Sequence, residues 1–241
     1  VLGYENEITR GMQKDCKGRQ VWFTRLHDTD NGAFLRKEDG MLCMAEDGVV
    51  TPFLAQKDIK LRGLHNIENL LAAAAAVWGE VPVEAIRKVG STFTGVEHRI
   101  EPVRVLDGVT YYNDSIGTSP TRTIAGLRSF NQKVILIAGG YDKHIPYEPL
   151  APEITAHVKN LVLMGATGPR IEKAVREDPA FNEAELPIQH ADNMQHAVEL
   201  ARACAQPGDI IILSPASASF DLYPNFEVRG REFKNIVNAL K

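Results

Sequence analysis

The chain has 241 residues, of which 44% are hydrophobic and 24% charged, the balance of a globular protein with a packed core. Its net charge of −4 argues against a protein that binds nucleic acid mainly by electrostatic attraction. No membrane span is expected, because the longest apolar run, residues 70–78, is far shorter than the ~20 residues that a bilayer requires. The three cysteines are widely spaced and follow no metal-binding pattern, so we expect free thiols in a reducing cytoplasm.

The first 63 residues favour β-structure. Short runs of apolar and β-branched residues are separated by turn signals such as Asp39-Gly40 and Asp47-Gly48. We expect these runs to pair as an antiparallel meander, with strands at 20–25, 33–36, 41–44 and 49–54. The alanine-rich segment that follows predicts a buried helix, and the predicted helices and linker lie at 67–78, 82–89 and 91–95.

Beyond the linker, the pattern changes to alternating strands and helices. Asp107-Gly108 predicts a tight hairpin between strands 99–106 and 109–113. Further strands are predicted at 134–138, 161–164, 188 and 210–213, and the helices begin at Ser119-Pro120 and near residues 147, 169, 194 and 226. Such alternation is typical of an open, doubly wound sheet. The predicted fold class is therefore α/β, with a Rossmann-like, mostly parallel sheet in residues 96–241 preceded by an α+β domain in residues 1–95.

Three polar loops, residues 113–119, 139–144 and 214–221, follow predicted strands. Ligands of doubly wound sheets bind beyond the carboxyl ends of the strands, where such loops meet. Together these loops offer one ammonium group at Lys143, several serine and threonine hydroxyls and exposed glycine backbone, which suits a small dicarboxylate. Each signal also has a simpler explanation, since Gly-Gly usually makes a turn, serines usually cap, and a lone lysine is usually solvated.

Five ordered motifs add a resemblance to a known family. They are residues 63–73 (GLHNIENLLAA), 93–100 (FTGVEHRI), 113–115 (NDS), 139–143 (GGYDK) and 213–230 (LSPASASFDLYPNFEVRG). In these motifs the chain resembles the Mur ligases over essentially its whole length, most closely those that add D-glutamate to UDP-N-acetylmuramoyl-L-alanine. The resemblance implies a cytoplasmic ATP-dependent step of peptidoglycan synthesis, in which the substrate carboxylate becomes an acyl phosphate and the amine of D-glutamate attacks it.

The resemblance also implies roles for particular residues. Nucleotide contacts are expected from Asn69, Arg99 and Asp114, and D-glutamate contacts from Lys143, Thr118, Ser219, Phe220 and Phe226. Simpler alternatives are a helix-start or core hydrogen bond for Asn69 and a surface ion pair for Arg99. The histidines His65 and His98 are expected to be structural, because no perturbing partner is evident in the sequence.

Several family features are expected to lie upstream of residue 1, because no GxxxxGK[ST] motif occurs in the chain. These are the phosphate-binding loop, the Mg²⁺ ligands and the uridine-binding domain. We therefore expect residues 1–95 to be the latter part of the central ATPase domain, and the chain alone to be an inactive monomer that binds neither nucleic acid nor membrane. Two alternatives stay open: another Mur-type ligase or a folylpolyglutamate synthase, and a binding module that has kept the fold without catalysis.

Overall fold

The computed structural model describes residues 1–61 and 63–241, which form two compact units, Val1–Thr94 and Gly95–Lys241. Each unit has its own sheet and its own hydrophobic core. Within the described residues, no helix combines the length and the apolar character that a membrane span needs.

Unit 1 is built on a five-stranded sheet in which the strands lie in chain order. The strands are β1 (Leu2–Gly3), β2 (Trp22–Thr24), β3 (Gly32–Arg36), β4 (Met41–Glu46) and β5 (Val49–Ala55). The last three pair antiparallel, as the meander predicted, whereas β1, β2 and β3 run parallel. The prediction was therefore wrong for residues 20–25.

The carboxylate of Glu5 gives the physical reason for this difference. Its Oε1 accepts hydrogen bonds from Thr24 Oγ1 at 2.6 Å and from the backbone N–H groups of Arg25 and Leu26 at 3.0 and 3.1 Å. The chain leaving β2 is thus held by a residue from the start of the unit instead of turning back as a hairpin. A contact over 19 residues of sequence cannot be inferred from a turn signal.

Helices α2 (Leu64–Val77) and α3 (Val83–Thr92) cover the core of this sheet. The short helix α1 (Glu7–Gly11) buries none of its residues. The alanine-rich α2 buries Ile67, Leu71 and Ala74 against Leu42 and Phe53 of the sheet, because small side chains let a helix approach closely. Helix α3 continues to Thr92, so it includes the first two residues of the predicted linker.

Unit 2 contains a six-stranded sheet with the order β10-β9-β8-β11-β7-β6. Its strands are β6 (Glu101–Leu106), β7 (Val109–Asn113), β8 (Val134–Gly139), β9 (Val158–Met164), β10 (Ile188–Ala191) and β11 (Ile210–Leu213). Only the edge strand β6 is antiparallel to its neighbour. Asp107 and Gly108 form the predicted hairpin turn between β6 and β7, with φ angles of 52° and 77°.

Helices pack on both faces of this sheet: α4 (Pro120–Leu127), α5 (Ala151–His157), α6 (Gly168–Arg176), α7 (Met194–Ala203) and α8 (Phe226–Ala239). Alternate side chains of β8 point to opposite faces of the sheet, and they show which helices cover each face. Val134 and Leu136 join the core under α4, α5 and α6, whereas Ile135 and Ile137 join the core under α7 and α8. The predicted doubly wound α/β fold is confirmed.

The strand order places the predicted loops next to one another. Because β11 lies between β8 and β7, the carboxyl ends of these three strands are neighbours at one edge of the sheet. The order in which strands are added changes sides here. Strands β9 and β10 lie on one side of β8, whereas β11, β7 and β6 lie on the other. Ligands of doubly wound folds bind at such a switch point.

We predict that Gly139 tolerates no side chain at the end of β8. Its φ is 109°, and a Cβ there would lie 1.9 Å from the Met164 carbonyl oxygen in β9. Gly208 is the matched control, because its φ is 96° and no heavy atom lies within 4 Å of a Cβ built on it. Backbone strain alone should cost about 1–3 kcal/mol in Gly208→Ala, and the collision should add about 1–3 kcal/mol in Gly139→Ala. Urea unfolding followed by circular dichroism measures both, and equal losses would contradict the prediction.

Candidate functional site

Three loops meet at the switch point, and we name them the Asp114 loop (residues 113–119), the Lys143 loop (139–144) and the Ser219 loop (214–221). Backbone hydrogen bonds join the last two directly. Gly139 N donates to the Pro215 carbonyl at 2.8 Å, and Tyr141 N donates to the Ala218 carbonyl at 2.9 Å. The Lys143 and Ser219 loops therefore form one connected surface at the carboxyl edge of the sheet.

Arg229 of α8 ties the Asp114 loop to the Ser219 loop. Its side chain is buried, and its guanidinium donates to the Ser115 hydroxyl at 3.0 Å and the Ser115 carbonyl at 2.9 Å. The same group donates to the carbonyls of Ser217 and Ala218 at 3.2 and 3.0 Å. Burial lowers the pKa of Arg229 to about 10, so the guanidinium stays charged at neutral pH. Among the described residues, no carboxylate forms an ion pair with it.

A chain of buried hydroxyls fixes the Ser219 loop from its other side. The Ser217 hydroxyl lies 2.8 Å from both the Tyr147 hydroxyl and the Thr167 hydroxyl, and Thr167 Oγ1 accepts a hydrogen bond from Gly140 N at 3.0 Å. Ser115 behaves similarly, since its hydroxyl donates to the Phe226 carbonyl at 2.8 Å. These hydroxyls hold the loops in place rather than facing outward.

The Lys143 loop presents its ammonium group to solvent. Asp142 anchors the turn by accepting from His144 N at 2.7 Å and from the Arg170 guanidinium at 2.5 and 2.6 Å. The backbone N–H of His144 and the charge of Arg170 both lower the pKa of Asp142. The side chain of Lys143 is exposed and forms no hydrogen bond or ion pair with any described residue.

Two predicted hydroxyls are also without a partner in the part of the chain that the structure describes. Thr118 is half-buried, and its hydroxyl makes no hydrogen bond to another described residue. Ser219 is 2% exposed, and only its carbonyl is engaged, by Leu222 N at 3.1 Å and Tyr223 N at 2.8 Å. Each of the three loops therefore carries one of the predicted amino-acid contacts, Thr118, Lys143 or Ser219.

The two predicted phenylalanines differ in exposure. Phe220 is 62% exposed and packs edge-on against Tyr141, with ring centroids 6.0 Å apart. Phe226 is half-buried at the first position of α8, and its ring meets that of His98 edge-on at 5.9 Å. Phe220 lies within the Ser219 loop and Phe226 follows it in sequence, so the two rings are placed to flank a ligand held there.

Asp114 is the buried acid of the site, 4% exposed. Its Oδ2 accepts from the Ser214 hydroxyl at 2.7 Å, and its Oδ1 accepts from Ile100 N at 3.2 Å. Burial raises the pKa of Asp114 to about 6, although both hydrogen bonds oppose the shift. Gly117 lies close by, since a Cβ there would be 2.8 Å from Oδ2.

The remaining predicted nucleotide contacts lie in different units. Arg99 is exposed in unit 2, on a turn that is joined to Asp114 through the hydrogen bond from Ile100 N. Asn69 lies in unit 1 on α2, where its exposed side chain donates to Asn66 Oδ1 at 3.1 Å. Each stays a prediction of the resemblance.

Sequence reasoning missed the residues that shape the site. Arg229, Thr167 and Tyr147 have no exposed polar atoms that a motif would reveal as ligands, and each acts through contacts with distant loops. The motif at residues 213–230 includes Arg229, but arginine is rarely fully buried, so nothing in the sequence indicates that its side chain lies inside the protein.

Comparison with known proteins identifies the family. Residues 98–217 match the sequence model of the family described as Mur ligase, glutamate ligase domain. Over its full length, the chain is 51% identical to the UDP-N-acetylmuramoylalanine--D-glutamate ligase of Acetivibrio thermocellus. The chain belongs to the Mur ligase family. The predicted resemblance is confirmed.

A second relative is similar to the same extent. The Mur ligase chain is 50% identical over 240 residues to the UDP-N-acetylmuramoylalanine--D-glutamate ligase of Clostridium novyi. Both alignments cover all of this chain, but they cover only 52% and 51% of the length of the two relatives. The chain thus spans about half the length of the curated relatives that it matches.

Solved structures support the fold. Mycobacterium tuberculosis folylpolyglutamate synthase complexed with ADP superimposes with a TM-score of 0.64 at 14% identity, covering 94% of this chain and 52% of that protein. MurF from Acinetobacter baumannii gives a TM-score of 0.64 at 15% identity, covering 97% of this chain and 51% of MurF. At such identities, the likeness establishes the shared fold alone.

We predict that the fork of Arg229, and not only its charge, holds the loops of this Mur ligase chain. Arg229→Lys keeps the charge, but one ammonium nitrogen cannot reach acceptors on both loops, so buried carbonyls lose their partners at a cost of about 2 kcal/mol or more. The control Arg231→Lys, exposed on the same helix, should change stability by less than about 0.5 kcal/mol. Equal urea midpoints for the two variants would refute the role given to Arg229.

A further prediction concerns Asp114 and pH. Its folded pKa of about 6 exceeds the ordinary 3.8, so the folded state binds this proton more tightly than the unfolded state. The contribution of Asp114 to stability should therefore fall as pH rises from about 4 to about 6, and a shift of roughly two units is worth about 3 kcal/mol. Asp114→Asn should remove this contribution, so the stability of the variant relative to the wild type should rise over this range in pH-dependent urea unfolding, whereas Asp192→Asn, with its 95% exposed side chain, should follow the wild-type profile. A constant difference between Asp114→Asn and the wild type across this range would exclude this explanation.

Proposed function

We propose that this chain provides the amino-acid pocket and part of the nucleotide site of a cytoplasmic, ATP-dependent ligase that adds D-glutamate to UDP-N-acetylmuramoyl-L-alanine in peptidoglycan synthesis. One observation carries the proposal. The ammonium of Lys143 and the hydroxyls of Thr118 and Ser219 have no partner among the described residues, although they lie on three loops at one sheet edge. The names of the relatives that match the whole chain support the same substrates.

The proposed pocket suits a small amino acid with two carboxylates. Lys143 would pair with one carboxylate, and the hydroxyls of Thr118 and Ser219 would donate to carboxylate oxygens. Each charge-assisted hydrogen bond would contribute roughly 1.5–3 kcal/mol where water is excluded. Phe226 and Phe220 would flank the ligand and exclude water from it.

The proposed nucleotide contacts fit ATP in their chemistry. Arg99 is an exposed cation beside the carboxylate of Asp114, and an ionised carboxylate has acceptor sites left after two hydrogen bonds. We propose that these two residues bind the adenosine part of ATP, and that Asn69 of unit 1 also contacts the nucleotide. Residues 1–95 would then belong to the central ATPase domain, and no described residue is assigned as a Mg²⁺ ligand.

The contribution of these residues to the reaction would be positioning. ATP supplies the phosphoryl group that turns the substrate carboxylate into an acyl phosphate. The amide then forms when the D-glutamate amine is held close to that acyl carbon, which can replace much of the entropic barrier of a bimolecular step. Lys143, Thr118 and Ser219 would hold the carboxylates of D-glutamate so that its amine points toward the reacting carbon.

The alternatives differ in the amino acid and in the presence of catalysis. Folylpolyglutamate synthase shares the fold, yet its identity of 14% is far below the 51% of the D-glutamate ligase. A screen of the full-length protein with UDP-N-acetylmuramoyl-L-alanine and D-glutamate, other amino acids, or a folate acceptor separates the ligases. Folded protein without ATP hydrolysis on any acceptor would favour a binding module.

Lys143→Ala in the full-length protein tests the pocket directly. We expect the KM for D-glutamate to rise about 10- to 100-fold, because one charge-assisted contact worth roughly 1.5–3 kcal/mol is lost. The KM for ATP should stay within about threefold, as expected for a residue away from the nucleotide. The control Lys173→Ala removes an ammonium with a 75% exposed side chain on α6 and should change neither constant. Equal increases in the KM values for D-glutamate and for ATP would contradict the assignment of Lys143 to the amino-acid pocket.

A further inference from the structure

His98 lies at the centre of a tightly held turn. His98 and Ile100, on either side of Arg99, adopt left-handed conformations with φ of 66° and 45°, which are costly for residues other than glycine. Three hydrogen bonds hold the turn: His98 N to Glu101 Oε2 at 2.9 Å, Ile116 N to the His98 carbonyl at 3.2 Å, and Ile100 N to Asp114 Oδ1 at 3.2 Å. The backbone of Arg99 is therefore fixed from both sides.

The imidazole of His98 is 3% exposed and joins two parts of unit 2. Asn113 Nδ2 lies 2.8 Å from His98 Nδ1, and since an amide nitrogen can only donate, Nδ1 accepts and Nε2 carries the proton of the neutral ring. The ring packs edge-on against Phe226, with centroids 5.9 Å apart and planes at 87°. The His98 ring thus contacts Phe226, the first residue of α8, while the His98 backbone helps to fix the position of Arg99.

Packing from α8 leaves this ring no freedom to move away. A Cβ at Gly230 would lie 2.3 Å from His98 Nδ1 and 3.1 Å from Asn113 Nδ2. The absence of a side chain at Gly230 therefore provides the space that the imidazole occupies. A shift of the His98 turn would be transmitted to the first turn of α8, because well-packed groups move together.

A metal site is the other interpretation of this region, and the contacts argue against it. Ligand atoms of Glu97, His98 and Glu101 lie within 4.8 Å of one another. However, Lys234 Nζ already donates to Glu97 at 3.0 Å and to Glu101 at 2.5 Å, so a cation is present. The protonated Nε2 of His98, 3.7 Å from Glu97 Oε1, also lacks the lone pair that a metal needs.

We propose that His98 is a positioning residue that couples the nucleotide-contacting turn at Arg99 to the Phe226 wall of the amino-acid pocket. This inference rests on the proposed function, which assigns Arg99 and Phe226 to the two ligands. Nucleotide binding at Arg99 shifts the turn, the imidazole transmits this shift to Phe226, and the pocket becomes better formed for D-glutamate. Coupling between two sites is reciprocal, so D-glutamate strengthens nucleotide binding by the same factor.

His98→Asn separates coupling from folding. Asparagine adopts left-handed φ angles readily and offers an acceptor to Asn113, but it has no ring to pack on Phe226. Calorimetry on the full-length protein measures the dissociation constant of D-glutamate with and without a non-hydrolysable ATP analogue. We expect the analogue to strengthen D-glutamate binding about fivefold or more in the wild type and less than about twofold in His98→Asn. Arg231→Ala, exposed on α8, should keep the wild-type ratio.

Gly230→Ala provides a second variant, since its methyl group displaces the same imidazole without removing it. In this variant too, the ATP analogue should strengthen D-glutamate binding less than about twofold. A wild-type ratio near one, or a full ratio in folded His98→Asn, would overturn the coupling.

Hydrogen exchange with the ATP analogue alone tests the coupling independently of the amino acid. In the wild type, the analogue should protect amides of the Arg99 turn and also of the first turn of α8, and His98→Asn should lose only the second effect. If the protein failed to use D-glutamate but showed this protection, the proposed function would fall and the coupling would stand. Protection confined to the Arg99 turn in the wild type would refute the coupling even in an active ligase.

Discussion

The buried guanidinium of Arg229 is the constraint on which the loops of unit 2 depend. Its four hydrogen bonds reach a hydroxyl and three carbonyls on two separate loops, and no described carboxylate forms an ion pair with it. A buried cation is tolerated only when its donors are satisfied, so the loop backbones must stay where their carbonyls meet the fork. The charge is thus stabilised by the same backbone that it holds in position.

This arrangement divides the polar groups of the site into two sets. Ser115, Ser214 and Ser217 use their hydroxyls within the protein, whereas the hydroxyls of Thr118 and Ser219 and the ammonium of Lys143 have no partner among the described residues. The first set fixes the loops, so that the second set needs little reordering when a ligand binds. Such preorganisation reduces the entropic cost of binding, because the backbone that carries each contact is already fixed.

The fold could be predicted from local signals where these signals decide the outcome. Alternating apolar strands and helices, together with Asp107-Gly108, predicted the doubly wound sheet and its edge hairpin, and both are confirmed. The parallel pairing of β2 could not be predicted, because it depends on Glu5, a residue distant in sequence. The separation of serines into two sets was equally hidden, since it depends on which hydroxyls Arg229, Asp114 and Tyr147 reach in space. Neighbouring serines in one polar loop look identical in sequence.

The charge distribution gives a final argument about the ligand class. The chain carries a net charge of −4, so its overall field repels acidic molecules. At the switch point, however, the buried cation of Arg229 and the ammonium of Lys143, which has no partner among residues 1–61 and 63–241, lie in or beside the same connected loops. Asp142, the residue next to Lys143, is engaged by Arg170, so its carboxylate does not pair with the Lys143 ammonium. Because Asp114 and Asp221 are carboxylates on the same loops, attraction of an acidic ligand depends on direct contact with the Lys143 ammonium, which favours a small dicarboxylate over an extended polyanion.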